Sequence, residues 1–197
     1  MPTTRTFIAL PLPEEIQKAL GELQGRLKKE LPQVRWTNPE NMHLTLKFLG
    51  EVENDLLPSI EKSLGEIASP YETFSLCANG LDCFPPKGSP RVIWVGLQEK
   101  TGTLMQLADR IENEMETFSF PKEKRAFTPH LTLGRVRSDQ KTKISSQTMK
   151  EIVQKEGSTD FGSFEANQVL LVKSELTPKG PVYSNLATIQ LKERLSS

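Results

Sequence analysis

Apolar residues along this chain recur with two alternating periods, and the order of those periods repeats. Thr6–Leu12 is a short apolar run stopped by Pro13, and it reads as a strand. Beyond Pro13, Ile16, Leu20, Leu23 and Leu27 return at helical spacing. Glu14 and Glu15 occupy the first turn of that helix and Lys28 and Lys29 its last, which complements the helix dipole. Turn-forming residues from Trp36 to Asn41 lead into His43–Leu49, where apolar and polar positions alternate as in a strand. Leu57, Ile60, Leu64 and Ile67 mark a second helix beginning near Asp55. Phe74–Phe84 reads as a strand, or as a hairpin if Asn79-Gly80 makes a tight turn, and Pro85-Pro86 closes it.

The same order then starts again. Arg91–Leu97 is a β-rich run, and Leu104, Leu107, Ile111, Met115 and Phe118 form a helical stripe after Thr101-Gly102-Thr103. Phe127–Val136 is strand-like, Met149, Ile152 and Val153 suggest a weaker helix, and further strands are expected around Phe164–Leu176 and Val182–Leu191. Phe7 precedes His43 by 36 residues and Ile93 precedes His130 by 37. This spacing predicts one domain over residues 1–197, built from pseudo-repeats at 4–84 and 91–176 plus an extra C-terminal strand at 181–191. The expected fold class is α+β: bilobal, with two pseudo-twofold-related, antiparallel-rich sheets, helices outside, and a central cleft carrying both histidine strands. Phe84–Pro90 is the expected crossing between halves. A plain α+β sandwich without internal symmetry is the alternative.

Composition narrows the class. The 25 basic and 25 acidic side chains of the 197 residues cancel, which excludes a polybasic arm gripping nucleic acid by bulk charge. The apolar runs fall far short of the roughly 20 residues needed to span a bilayer, and the N-terminal stretch lacks the core of a secretory signal. A cytoplasmic chain without membrane association is therefore expected. Cys77 and Cys83 stand about 20 Å apart along one continuous strand, too far for a disulfide, although a hairpin at Asn79-Gly80 would bring them closer. Structural free thiols are expected.

Only two histidines occur, and both open the same tetrad: His43-Leu44-Thr45-Leu46 and His130-Leu131-Thr132-Leu133. With average composition, three successive matches behind an arbitrary histidine pair arise on the order of once in a few thousand cases. In a strand, His and Thr at i and i+2 share one face while the two leucines share the other. The leucines anchor the strand in a core, and an imidazole and a hydroxyl remain side by side on the opposite face. A single strand histidine is ordinarily a partly buried residue without chemistry. Repetition of the outward pair as well as the inward pair points instead to a site.

Two imidazoles suit a reaction in which one group takes a proton while the other gives one, since both states are accessible near neutral pH. Threonine hydroxyls can donate to the non-bridging oxygens of a phosphoryl group. Attack of water at phosphorus with departure of an alkoxide needs this set. No metal site and no cofactor are expected from the sequence.

Paired H-x-T-x tetrads resemble the signature of the two-histidine (2H) phosphoesterase superfamily. The flanks Thr6–Leu10, Val34–Trp36, Pro39–Val52 and Phe127–Arg135 look like the LigT-like RNA 2′,3′-cyclic phosphodiesterases of bacteria and archaea, with the likeness weakening over about 138–161. The resemblance implies a bilobal α+β fold with a water-filled cleft and hydrolysis of a 2′,3′-cyclic phosphate to a 2′-phosphate. It further implies His43 as proton donor to the leaving 3′ oxygen, His130 as proton acceptor from water, and Thr45 and Thr132 as phosphate ligands. Relatives are also associated with reversible joining of RNA ends through a 2′-5′ linkage.

A phosphate-contacting arginine of the family maps onto Arg135. Strict alternation would turn Arg135 away from the cleft, and a bulge at Gly134 could return it. Lys47 has the parity of the His43 side, with a solvated strand lysine as the alternative. Phe84, on a rim beside two prolines, could stack on a base or lie in the core; Trp94 reads as core, and Tyr183 is left without a role. Expected partners are RNA ends or nucleoside 2′,3′-cyclic phosphates, with the protein a monomer. Two other functions stay open: a phosphodiesterase for another cyclic phosphate such as ADP-ribose 1″,2″-cyclic phosphate, and a non-catalytic binder of RNA ends or nucleotides.

Overall fold

Nine strands and four helices make up the fold in a computed structural model that describes residues 1–137, 144–178 and 180–194. The strands are β1 (Thr3–Pro11), β2 (Val34–Trp36), β3 (His43–Glu53), β4 (Phe74–Phe84), β5 (Val92–Gln98), β6 (His130–Val136), β7 (Asp160–Ala166), β8 (Gln168–Thr177) and β9 (Gly180–Gln190). The helices are α1 (Glu14–Glu30), α2 (Leu57–Ala68), α3 (Thr103–Thr117) and α4 (Ser146–Glu156). The apolar stripes expected for α1 and α3 are buried: Ile16, Leu20, Leu23 and Leu27 in one, Leu104, Leu107, Ile111 and Met115 in the other. No helix among the described residues is long and apolar enough to cross a membrane.

Two antiparallel sheets organise the molecule. One has the order β3-β1-β8-β9 and the other β2-β6-β5-β4-β7. The α+β class and the antiparallel pairing match the sequence reading. The sheets, however, are not the two halves of the chain. Strand β4, which ends the first half, pairs with β5 and β7; β8, from the second half, pairs with β1 and β9. Helices cross as well: α1 packs against β7 of the five-stranded sheet, and α3 against β3 of the four-stranded one. Part of the physical reason lies at Phe84–Pro90, the expected crossing between halves. It is a hairpin connection, with Phe84 opposite Val92 and Arg91 N–H donating to the Phe84 carbonyl at 2.7 Å, so the end of one half and the start of the other must share a sheet.

Strand β4 is one continuous strand and not a hairpin. Gly80 sits at φ +68 in a bulge, donates its N–H to the Thr159 carbonyl and lies so close to the Gly157 backbone that a side chain would collide. Cys77 and Cys83 are therefore held apart on one strand as free thiols. Val34–Trp36 is a short strand pairing with β6, although Trp36 was expected in a turn, and the run around Phe164–Leu176 divides at Asn167 into β7 and β8.

Candidate functional site

The tetrads place their side chains as strand alternation requires. Leu44 and Leu131 are fully buried in the core, and truncating either to alanine would cost about 2–5 kcal/mol. Register defines the opposite face. In the four-stranded sheet, Pro11 lies opposite His43 and Ala9 opposite Thr45; in the five-stranded sheet, Gly96 lies opposite His130 and Trp94 opposite Thr132. Each histidine strand thus lies beside an inner strand of its sheet, β3 at the edge next to β1 and β6 between β5 and the short β2.

Both imidazoles are held alike. His43 Nδ1 lies 2.8 Å from the Asn41 carbonyl oxygen, and His130 Nδ1 lies 2.6 Å from that of Thr128. A carbonyl can only accept, so Nδ1 carries hydrogen in each ring. The neutral tautomer then leaves the Nε2 lone pair available for proton transfer. Asn41 contributes a second contact, donating its side-chain amide to the Pro181 carbonyl at 3.2 Å, which ties the start of β9 to the His43 turn.

The surroundings lower both imidazoles. Burial pulls His43 down to about 4, against the opposing effect of its bond to the Asn41 carbonyl. Its ring is stacked on Phe7, with centroids 4.6 Å apart, and meets the edge of Tyr183 at 5.3 Å. Burial also lowers His130; the bond to Thr128 opposes this and the positive charge of Arg135 adds to it. His130 has its own aromatic neighbours, Phe84 at 5.2 Å and Trp94 at 5.9 Å, themselves 4.8 Å apart. Trp94, read from the sequence as core, is on the site face opposite Thr132, only partly buried. Each histidine therefore stands against a pair of aromatic rings.

A bulge follows each threonine, and it decides which later residues reach the site. On β6 the partner of Trp94 is Thr132 and that of Ile93 is Gly134, so Leu133 is the extra residue. Val92 then faces Arg135, which shares the face of Trp94, Gly96 and His130. The return of Arg135 to the site, conditional in sequence, is realised by a bulge one residue earlier than Gly134. Gly134 has a different duty: a Cβ there would come 2.5 Å from Val34 Cγ1 and 3.0 Å from the Arg35 carbonyl oxygen. Burial raises the Tyr183 phenol above its usual range while the charges of Arg135 and Arg5 oppose that rise. Arg135 thus acts on His130 in one sheet and on Tyr183, the neighbour of His43, in the other.

On β3 the same device has the opposite outcome for Lys47. Ala9 faces Thr45 and Ile8 faces Lys47, so Leu46 is the extra residue and Lys47 turns into the interior. The expectation that Lys47 lies on the His43 side is therefore wrong, because simple alternation ignores the bulge. Its side chain is 1% exposed, pairs with Glu112 of α3 at 2.8 Å and donates to the Pro121 carbonyl at 3.0 Å.

Sequence reasoning missed Gln24, Asn41 and Glu112. Gln24 of α1 is buried and donates to the carbonyls of Thr37 at 2.7 Å and of Leu133 at 2.8 Å, while Thr37 N–H also reaches the Leu133 carbonyl. The one sequence signal was a glutamine among the leucines of the buried stripe of α1. Among the described residues, no three His, Cys, Asp or Glu side chains gather as a metal site.

A family model described as LigT-like phosphoesterase matches twice, over residues 10–94 and 95–183. The chain is 36% identical to an RNA 2′,3′-cyclic phosphodiesterase of Archaeoglobus fulgidus, covering 94% of this chain and 99% of that protein. It is 35% identical to the protein of the same name from Thermotoga maritima, covering 95% and 96%. Among solved structures, TT0787 of Thermus thermophilus superposes with a TM-score of 0.80 at 29% identity over 96% of this chain and 98% of that one. E. coli LigT complexed with 3′-AMP gives 0.75 at 25% identity over 96% and 98%.

Proposed function

The chain belongs to the LigT-like phosphoesterase family, and from that premise we propose that it hydrolyses RNA or nucleoside 2′,3′-cyclic phosphate ends to 2′-phosphates by metal-independent histidine acid–base catalysis. The observation that carries the reading is the matched pair of imidazoles, each with Nδ1 committed to a backbone carbonyl and Nε2 left for chemistry.

Water attacks phosphorus in line with the 3′ oxygen. His130 Nε2 takes the proton of water as the P–O bond forms, and His43 Nε2–H gives its proton to the departing 3′ oxygen. Thr45 and Thr132 donate to the non-bridging oxygens, and Arg135 supplies positive charge. The two imidazoles finish with exchanged protonation and reset through solvent. Attack by a 5′-hydroxyl end in place of water would yield the 2′-5′ linkage by the same proton transfers.

The acid role of His43 follows the family resemblance, and its lowered basicity in the empty site means that bound substrate must restore the proton. With a value near 4, roughly one His43 in a thousand is protonated at pH 7 in the empty site. A phosphate anion about 4 Å away stabilises the imidazolium by about 4 kcal/mol at an effective dielectric of 20. That is roughly a thousandfold in protonation, so bound substrate arms the acid. The same anion acts on His130, but Arg135 counters it there, which favours a neutral base.

The test is to give metal-free protein, with EDTA present, a 2′,3′-cyclic mononucleotide and a cyclic-ended oligonucleotide. A 2′-phosphate product is expected. A 3′-phosphate product, or inhibition by EDTA, overturns the reading. Adding RNA with a free 5′-hydroxyl to the same assay measures joining.

A further inference from the structure

Resting on that reading, we infer that Phe48 forms a second base-stacking subsite, so that the enzyme is built for RNA ends of two or more nucleotides and not for a cyclic mononucleotide alone. Phe48 is 57% exposed, unusual for a phenylalanine within a strand whose neighbours Lys47 and Leu49 are buried. Its orientation follows from register. Phe48 lies opposite Phe7, and Thr45 opposite Ala9, so Phe48 shares a face with the site threonine despite the odd number of positions separating them. The bulge at Leu46 makes that possible, and the buried Lys47–Glu112 pair ties the preceding residue of β3 to α3.

Phe48 also stands three residues beyond Thr45, as Arg135 stands three beyond Thr132. One half spends this position on the guanidinium whose charge reaches His130, the other on an exposed ring. The ring continues an aromatic row: His43 stacks on Phe7 at 4.6 Å, and Phe7 meets Phe48 at 6.0 Å. Arg5, on the Phe7 face of β1 and exposed, adds positive charge on this side, felt at Tyr183.

A cyclic mononucleotide has one base and can occupy one aromatic wall. The partly buried Phe84–Trp94 pair beside His130 is the enclosed wall and suits the terminal base. Phe48 lies about 7 Å along the strand from Thr45, because their partners Phe7 and Ala9 are two residues apart, which carries its ring beyond the reacting phosphate and within reach of the neighbouring nucleotide. An unstacked base presents a π-face to such a ring whatever its identity, and a nearby arginine suits the intervening phosphate.

The experiment compares kcat/KM for a 2′,3′-cyclic mononucleotide with that for a dinucleotide ending in the same cyclic nucleotide, in the wild type, Phe48→Ala and Phe48→Trp, with Leu176→Ala as a control at another exposed apolar residue. The wild type should favour the dinucleotide. Phe48→Ala should cut the dinucleotide-to-mononucleotide ratio about tenfold through KM, Phe48→Trp should retain it, and Leu176→Ala should not change it. An unchanged ratio in Phe48→Ala, with the wild type active on both substrates, overturns the subsite and leaves the phosphodiesterase reading standing. A wild type inactive on both overturns the reading itself.

Discussion

Gln24, carried by α1 in the first half of the chain, donates its side-chain amide to the carbonyl of Leu133, the extra residue on the second histidine strand, at 2.8 Å. The bulge that turns Arg135 toward the site would otherwise leave that carbonyl served by Thr37 N–H alone. Glu112 makes the converse link, from α3 to Lys47 beside the bulge of the first histidine strand. Each histidine strand is therefore braced by a polar side chain from the other half.

Replacing Gln24 with leucine removes both amide donors from a buried position. We expect a loss of about 2–4 kcal/mol in urea unfolding and a larger fall in kcat/KM than that of a core truncation of equal cost. A variant that keeps wild-type stability would show that the bulge does not need Gln24.

The Lys47–Glu112 pair is unequally buried, with side chains 1% and 19% exposed, so its two members should not be equivalent. Glu112→Gln leaves a lysine charge in the interior and should cost about 3–5 kcal/mol; Lys47→Met leaves a carboxylate that reaches solvent and should cost less. The double variant Lys47→Met with Glu112→Gln should recover part of the loss, read as a coupling energy from a double-mutant cycle. Equal single costs with no coupling would contradict the asymmetry.

His43 should titrate near pH 4 in the free protein, and its ring resonance should move toward neutral pH when inorganic phosphate or a 2′-phosphate product is bound. The folded protein binds fewer protons than the unfolded chain between about 4 and the ordinary value of 6.5. Stability from this group is therefore complete above 6.5 and is lost as pH falls toward 4, by about 3 kcal/mol, and His43→Gln should remove that part of the acid sensitivity. Titration of free His43 near 6.5 would remove the basis for substrate-armed protonation.

His43→Ala and His130→Ala should each lower kcat by about 10²–10⁴ while leaving the fold intact, and the double variant should lose little more than either. Near-wild-type turnover in either single variant means that the pair is wrongly assigned.

Arg135→Ala should raise KM about tenfold and also move the limb of the pH profile that reports His130 to higher pH, because the charge removed is one that lowers it. A KM effect without the pH movement would make Arg135 a substrate contact that does not act on the base.

Much of this was legible along the chain. Alternation on a strand and 3.6-residue recurrence on a helix are properties of the local backbone, so Ile16–Leu27, Leu104–Met115 and both H-x-T-x tetrads declared their elements and faces without reference to anything distant. The duplicated tetrad, the only place where histidine occurs, also marked the family. Beyond Thr45 and Thr132 the local rule stops holding, because a bulge is a relation between a strand and its partner. Whether Lys47 turns inward, and Arg135 and Phe48 outward, depends on register with β1 and β5 and on the distant side chains Glu112 and Gln24. The position of Tyr183 beside His43 depends in turn on β8 and β9 joining β1, a pairing between halves that no local pattern specifies. Local pattern was enough to say which side chains could carry chemistry and which face each tetrad shows. Pairing across the fold chose the neighbours that share that face, since only contacts between distant segments can hold a strand out of its regular register.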